Sequence, residues 1–356
     1  MNILYLNHRA GLGGGEISFL QFLDHAPDTL VPHAILGADG PLAVALRQRR
    51  LPVTILPLPP LDPGTGPITA AAGLRRYCRT HAIGLLHAQT PRAAGYAALV
   101  RTADRPVIWH LRTVGPWGLK EKFSAARADA IICISHAVAG CVPARLRART
   151  VIIDNGVVPP AAITPEQLAD CRRRWQLPAD VPVIAVIGRL DPGKGLQLLI
   201  ETAAALQTLQ PALWLIAGDG PCRADLEQQA RARLLTNIRW LGHLDDITPV
   251  LAAATVAASA SESEGFGRTV VEAVLAACPP LFFPVGGLAE LGLPAACHFT
   301  EREPAAIATR LARALREPQL LRDAIAPFTA SFRERFAPAR HAAAVLALYQ
   351  RLLPRL

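Results

Sequence analysis

Short apolar runs alternate with helical patterns and glycine-rich turns along this whole chain, and they do so in two series. The first series has apolar runs at residues 2–7, 34–36, 53–56, 85–87, 107–110, 130–134 and 151–153. The second has them at 183–187, 213–217, 238–241, 256–258 and 281–283. Runs this short, separated by helix-length segments, predict parallel strands joined by crossover helices. Residues 157–182 carry Pro159, Pro160, Pro165, Pro178 and Pro182 around one short polar helical stretch, the composition of a connection. With 356 residues the chain exceeds one ordinary core. The expected fold class is therefore α/β, with two doubly wound, Rossmann-like domains facing across a cleft. Their expected bounds are 1–160 and 161–336, followed by an amphipathic tail helix at 337–356.

Composition narrows the class. Hydrophobic residues at 51% and charged residues at 18% describe a folded chain, not a disordered one. No run of 18 apolar residues predicts a spanning helix. The opening Met1-Asn2-Ile3-Leu4-Tyr5-Leu6-Asn7 lacks a basic lead and reads as a strand, not a secretory signal. Seven scattered cysteines without a C-x-x-C pair suit buried thiols in a reducing cytosol, not a disulfide frame or a zinc site. The net charge of +9 is uneven: residues 1–160 hold 17 Lys+Arg against 9 Asp+Glu, whereas the remainder is nearly balanced. That surplus is either a solvated arginine-rich surface or an attractor of anions, such as a lipid surface or a phosphate-bearing substrate. Nucleic acid is disfavoured, because aromatic residues are only 5% and do not interleave with the arginines.

Five stations carry candidate chemistry. Gly11-Leu12-Gly13-Gly14-Gly15-Glu16 follows the first strand and predicts a turn over residues 11–15 with a helix from 16 to 24. A dinucleotide fingerprint would place its third glycine where Glu16 stands, and a carboxylate there repels a pyrophosphate. His110 ends the run Val107-Ile108-Trp109-His110, where open α/β sheets bind ligands; it is either a ligand contact or a satisfied structural histidine. Gly188-Arg189-Leu190-Asp191-Pro192-Gly193-Lys194-Gly195 puts two cations after a strand, with Lys194 where a helix begins. A lysine at that end opposes the helix dipole by up to about 1 kcal/mol, a conflict that a bound anion would remove. Ala217-Gly218-Asp219-Gly220-Pro221 is a tight turn after another strand, and Val285-Gly286-Gly287-Leu288-Ala289-Glu290 is a glycine pair ending in a carboxylate.

The most telling stretch is Ser261-Glu262-Ser263-Glu264-Gly265-Phe266-Gly267-Arg268-Thr269-Val270-Val271-Glu272. On one helix, Glu264 and Glu272 would lie off a common face and about 12 Å apart along the axis. They therefore read as two separate grips on an elongated ligand. The glycines admit close backbone approach, and the helix starting near Arg268 offers free amides that suit a phosphate.

Taken together, these residues resemble the family-4 retaining glycosyltransferases of the GT-B fold (glycosyl transferases group 1). The resemblance runs in order through Gly13-Gly14-Gly15-Glu16, His110, Ser135, Asn155-Gly156, Gly188-Arg189 with Lys194-Gly195, and Gly218-Asp219-Gly220. It ends with Glu264-Gly265-Phe266-Gly267 with Glu272-Ala273, and Gly286-Gly287 with Glu290. It implies a first domain on the acceptor side, a donor-binding second domain, and a tail helix that returns to the first. It also implies that Arg189 and Lys194 hold the donor diphosphate, Glu272 the ribose hydroxyls and Glu264 the donor-sugar hydroxyls. Amides near Phe266 and Gly267 would assist, and His110 would contact the sugar near the reaction centre. Gly14 and Gly15 would approach the phosphates, while Gly188, Gly218, Gly287 and Glu290 would complete the donor site.

The implied reaction moves a sugar, with retention, from a UDP- or GDP-sugar to a glycan or lipid-linked acceptor in polysaccharide or glycolipid synthesis. It would occur in the cytoplasm, peripherally on an anionic membrane face. No D-x-D motif occurs, so no metal or other cofactor is expected. Two departures concern base specificity and loop detail: Ala276-Ala277-Cys278-Pro279-Pro280 replaces an Ala-x-Gly-x-Pro pattern, and Ala296-Cys297-His298-Phe299-Thr300 replaces a glycine-rich segment. A catalytically inactive partner subunit and a sugar-nucleotide epimerase are the competing readings. The loops 60–70 and 112–124 are expected to set donor and acceptor choice.

Overall fold

A computed structural model describes residues 1–62 and 64–353. Pro63 of the loop 60–70 and residues 354–356 of the expected tail helix lie outside the described residues. The chain forms two compact units, one of residues 1–157 with the segment from Phe336 onward, the other Val158–Arg335.

In the first unit seven strands alternate with helices: β1 (Asn2–Asn7), β2 (Val31–Leu36), β3 (Val53–Ile55), β4 (Leu85–Ala88), β5 (Val107–Leu111), β6 (Ala130–Cys133) and β7 (Thr150–Ile152). They form one sheet in the order β3-β2-β1-β4-β5-β6-β7, with every pairing parallel. β4, β5 and β6 are buried along their whole length, which is why they read as continuous apolar runs without alternation. The order reverses between β1 and β4, so the crevice beyond the carboxyl ends of those strands is the topological switch point. The helix Pro338–Leu352 belongs to this unit: Val345, Leu348 and Tyr349 sit in one cluster with Ile3, Tyr5, Phe19 and Phe22. Burying each such large apolar side chain contributes about 1.5–3 kcal/mol.

The second unit has five strands: β8 (Val183–Ile187), β9 (Leu213–Ala217), β10 (Ile238–Gly242), β11 (Val256–Ser259) and β12 (Pro280–Phe282). Their order is β10-β9-β8-β11-β12, again all parallel, so the switch point lies between β8 and β11. The polar helix Pro165–Arg174 opens this unit, starting on a Thr164 cap that accepts from the Gln167 amide.

Two local expectations need correction. The helix after β1 is Gly14–Leu23, so the turn stops at Gly13, and Gly14 and Gly15 are the first helical residues. The helix after β8 is Leu196–Leu206, preceded by Gly195 in the left-handed region, so Lys194 lies outside it and the dipole conflict does not arise. The helix after β11 starts at Arg268, as expected, so Glu272 is helical and Glu264 lies in the loop before it.

Candidate active site

In the second unit, the turns after β8 and β11 are locked together by backbone contacts. The Glu262 amide donates to the Gly193 carbonyl at 2.9 Å. A Cβ on Gly195, whose φ is 65°, would come within 2.0 Å of the Ala260 carbonyl oxygen. Arg302 holds the same loop from beneath, donating to the carbonyls of Ala260 and Ser261 while its guanidinium lies 4.2 Å over the Phe283 ring. Across this junction, at the switch point, the Lys194 ammonium donates to Glu264 Oε2 at 2.7 Å. Both side chains are only partly exposed, at 33% and 23%. An ammonium has three donors, and Glu264 engages one of them. Arg189 is held in its own turn by Asp191, at 2.9 Å from Nε, and half of its side chain faces solvent.

The helix Arg268–Leu275 begins after Gly267, which has φ 90° and no space for a side chain against Leu288. The Glu272 carboxylate accepts from Arg268 Nε at 2.8 Å and is mostly buried; burial raises its pKa against the opposing pull of Arg268. Phe266 is buried in the approach to this helix. The turn after β12 packs on the turn after β11: the Gly287 amide donates to the Glu264 carbonyl at 2.8 Å. The Glu290 carbonyl accepts from Arg335 at 3.1 Å. Gly188 and Gly218 are in contact, since a Cβ on Gly218 would meet the Gly188 carbonyl oxygen at 1.8 Å. These two glycines are thus required by the crossing of the strand ends.

In the first unit, Glu16 is a capping residue. It accepts from the Gly13 amide at 3.1 Å and from Asn7 Nδ2 at 3.0 Å. His110 is 2% exposed at the end of β5. Its Nδ1 lies 3.1 Å from Arg112 Nη2 and 3.3 Å from His87 Nε2. Burial first, then the Arg112 charge, holds His110 and His87 well below the usual histidine range. His341 is lowered to about 4 by the same causes, and its Nδ1 is 2.8 Å from the Asp154 carbonyl. Arg112 also donates to Asn155 Oδ1 at 2.6 Å and to Gln89 Oε1 at 3.0 Å. A Cβ on Gly15 would come within 2.8 Å of Arg112 Cδ, so Gly15 makes room for that side chain. Gly14, by contrast, is exposed in the first turn of its helix.

Sequence reasoning missed Arg112 and Gln89, and gave His87 only a weaker case than His110. A signal existed: Arg112 lies two residues beyond His110, and alternate residues at a strand end share a face. Among the described residues, no three His, Cys, Asp or Glu side chains gather as a metal site would require, and no helix is long and apolar enough to cross a membrane.

Comparison with known proteins gives matches along both units. The family described as Glycosyltransferase Family 4 matches residues 12–159, and Glycosyl transferases group 1 matches residues 169–327. A 2-deoxystreptamine glucosyltransferase of Streptomyces kanamyceticus is 33% identical over 181 residues, 48% of this chain and 46% of that protein. A D-inositol 3-phosphate glycosyltransferase of Salinispora arenicola is 29% identical over 227 residues, 58% of this chain and 49% of that protein. The chain thus matches about half the length of these curated relatives. Among solved structures, Anabaena HepE in complex with UDP and glucose has TM-score 0.86 at 23% identity, covering 98% of this chain and 99% of that one. The lipopolysaccharide glycosyltransferase WaaG has TM-score 0.72 at 15% identity, covering 96% and 98%. The fold is GT-B.

Proposed function

The chain belongs to the family-4, group 1 glycosyltransferases, and from that premise we propose that it is a retaining hexosyltransferase using a UDP- or GDP-sugar. The observation that carries the reading is the Lys194–Glu264 contact of 2.7 Å at the β8/β11 switch point. It sets a cation with donors to spare beside a carboxylate that suits sugar hydroxyls. Support for the donor class comes from the Anabaena relative of the same fold, solved with UDP-glucose.

In this reading Lys194, with Arg189 swung from Asp191, holds the diphosphate. The bond from the anomeric carbon to the diphosphate oxygen breaks, and the acceptor oxygen bonds to that carbon from the same face. The acceptor proton passes to the departing diphosphate. Negative charge grows on the leaving group, and a cation fixed in advance stabilises it without reorganisation. Glu272 accepts from the ribose hydroxyls, Glu264 orients the sugar and His110 contacts it near the reacting carbon. Phe266 and Gly267 contribute amides, while Gly188, Gly218, Gly287 and Glu290 shape the donor-site wall. Gly14 and Gly15, at the start of their helix, admit the donor phosphates. No metal or cofactor takes part. The acceptor is a glycan or a lipid-linked sugar, reached by docking of the basic first unit on an anionic cytoplasmic membrane face.

The test is release of nucleoside diphosphate from a panel of UDP- and GDP-sugars on adding oligosaccharide or lipid-linked acceptors. Acceptor-dependent release with one donor series supports the reading. Interconversion of the free donor without acceptor, or no binding of any nucleoside diphosphate, refutes it.

A further inference from the structure

Four polar side chains buried in the first unit form one hydrogen-bonded chain. The Tyr5 and Tyr349 hydroxyls are 3.1 Å apart, and the Tyr349 hydroxyl is 2.5 Å from His87 Nδ1. His87 Nε2 is 3.3 Å from His110 Nδ1. All four residues are 2% exposed or less. At the far end, His110 Nε2 is buried without a hydrogen-bond partner among the described residues.

Each link holds one proton, so the chain can run in two senses. In the first, the Tyr349 hydroxyl, which is placed as donor to Tyr5 at 3.1 Å, turns to donate to His87 and accepts from Tyr5, and His87 donates to His110, leaving a proton on His110 Nε2. In the second every donor becomes an acceptor, and His110 Nε2 is a bare lone pair. The same hydrogen bonds exist in both senses, so these four groups alone give little preference.

Arg112 removes the symmetry. A guanidinium only donates and does not lose its proton. Its Nη2 lies 3.1 Å from His110 Nδ1. In the second sense two N–H groups would meet head to head in a buried site, whereas in the first Nδ1 is an acceptor for both Arg112 and His87. Asn155, Gln89 and the space left by Gly15 keep the guanidinium in that position. We infer that Arg112 is a positioning residue that fixes the polarity of the Tyr5–Tyr349–His87–His110 chain, so that His110 presents an Nε2–H donor to a ligand oxygen. The inference rests on the sugar-transfer reading only for the identity of that oxygen. It makes His110 a donor to a sugar hydroxyl and excludes it as the base that takes the acceptor proton. It also gives the helix Pro338–Leu352 a part in the site, through Tyr349.

The tautomer is directly measurable by long-range proton–nitrogen NMR on protein labelled at histidine nitrogen, with no donor present. In the parent, His110 is expected to carry its proton on Nε2. Arg112→Met retains bulk and removes the donor; His110 should then populate the Nδ1–H form. Arg112→Lys, which still donates, should restore the Nε2–H form. In the transfer assay Arg112→Met should lower kcat about tenfold or more with little change in donor KM, and Arg112→Lys should recover most of it. A parent His110 protonated on Nδ1 overturns the inference. So does an Arg112→Met protein whose His110 stays wholly in the Nε2–H form. If Arg112→Met does not fold, the parent and Arg112→Lys spectra still decide. Because the spectra need no substrate, an absence of sugar transfer refutes the functional reading and leaves the tautomer result standing.

Discussion

Replacing Lys194 by Met should cost nucleotide affinity in two separable ways. The first is loss of the charge-assisted bond to the diphosphate, worth about 1.5–3 kcal/mol. At about 1.4 kcal/mol per tenfold, this is roughly 10–150-fold in Kd. The second is exposure of Glu264. In the unliganded chain its carboxylate is neutralised by Lys194 at 2.7 Å, with 23% of its side chain accessible. Left alone, it repels an incoming diphosphate. At a separation of about 7 Å, and with partial solvent screening, that repulsion is about 1 kcal/mol. Isothermal titration with UDP and GDP measures both effects. Lys194→Met should bind at least tenfold more weakly than the parent, and Lys194→Met/Glu264→Gln should recover several-fold. A Lys194→Met protein that binds the parent's preferred nucleotide within twofold of the parent would show that Lys194 does not hold the diphosphate. A double variant that binds no better than the single one would show that the Glu264 carboxylate does not face the ligand.

Three further outcomes follow from the geometry. His341 is depressed to about 4 by burial, so the unfolded chain binds its proton first and stability falls as pH drops from about 6.5 toward 4; this residue alone accounts for about 3 kcal/mol of that loss, and denaturant titrations of His341→Gln should show a flatter acid limb than the parent. Ala277 has φ 55°, a left-handed conformation that costs a non-glycine residue about 1–2 kcal/mol; Ala277→Gly should therefore raise the melting temperature by roughly 1–3 °C after the unfolded-state entropy of glycine is subtracted, and a fall would contradict the strain. Co-sedimentation with vesicles should increase with anionic lipid content and decrease with salt, whereas binding indifferent to anionic lipid would remove the membrane-docking proposal.

The architecture was legible because parallel strands buried on both faces leave uninterrupted apolar runs, and each run from β1 to β12 corresponds to one of them within a few residues. Helix starts were less legible. Gly14 and Gly15 read as turn residues because glycine disfavours helices, yet the Glu16 cap at Gly13 carries the helix through them. Lys194 and Glu264 were each visible as stations, but their contact was not, because it depends on the Gly195 turn meeting the Ala260 carbonyl 65 residues later. Arg112 was hidden for a related reason. Its partners Gln89 and Asn155 come from separate segments that only the sheet order brings beside the end of β5. The departure at 276–280 has a local account, since the backbone that favours glycine falls on Ala277.

Sugar transfer from a nucleoside diphosphate donor with retention can be tested before any acceptor is known. Proton NMR would follow slow hydrolysis of α-linked UDP- and GDP-sugars by the purified protein, at times shorter than mutarotation. With retention at this site, the nucleoside diphosphate and the α-anomer of the free sugar appear first, at a rate abolished in Lys194→Met. A β-anomer as the first product would contradict retention, and release unaffected by Lys194→Met would contradict the site.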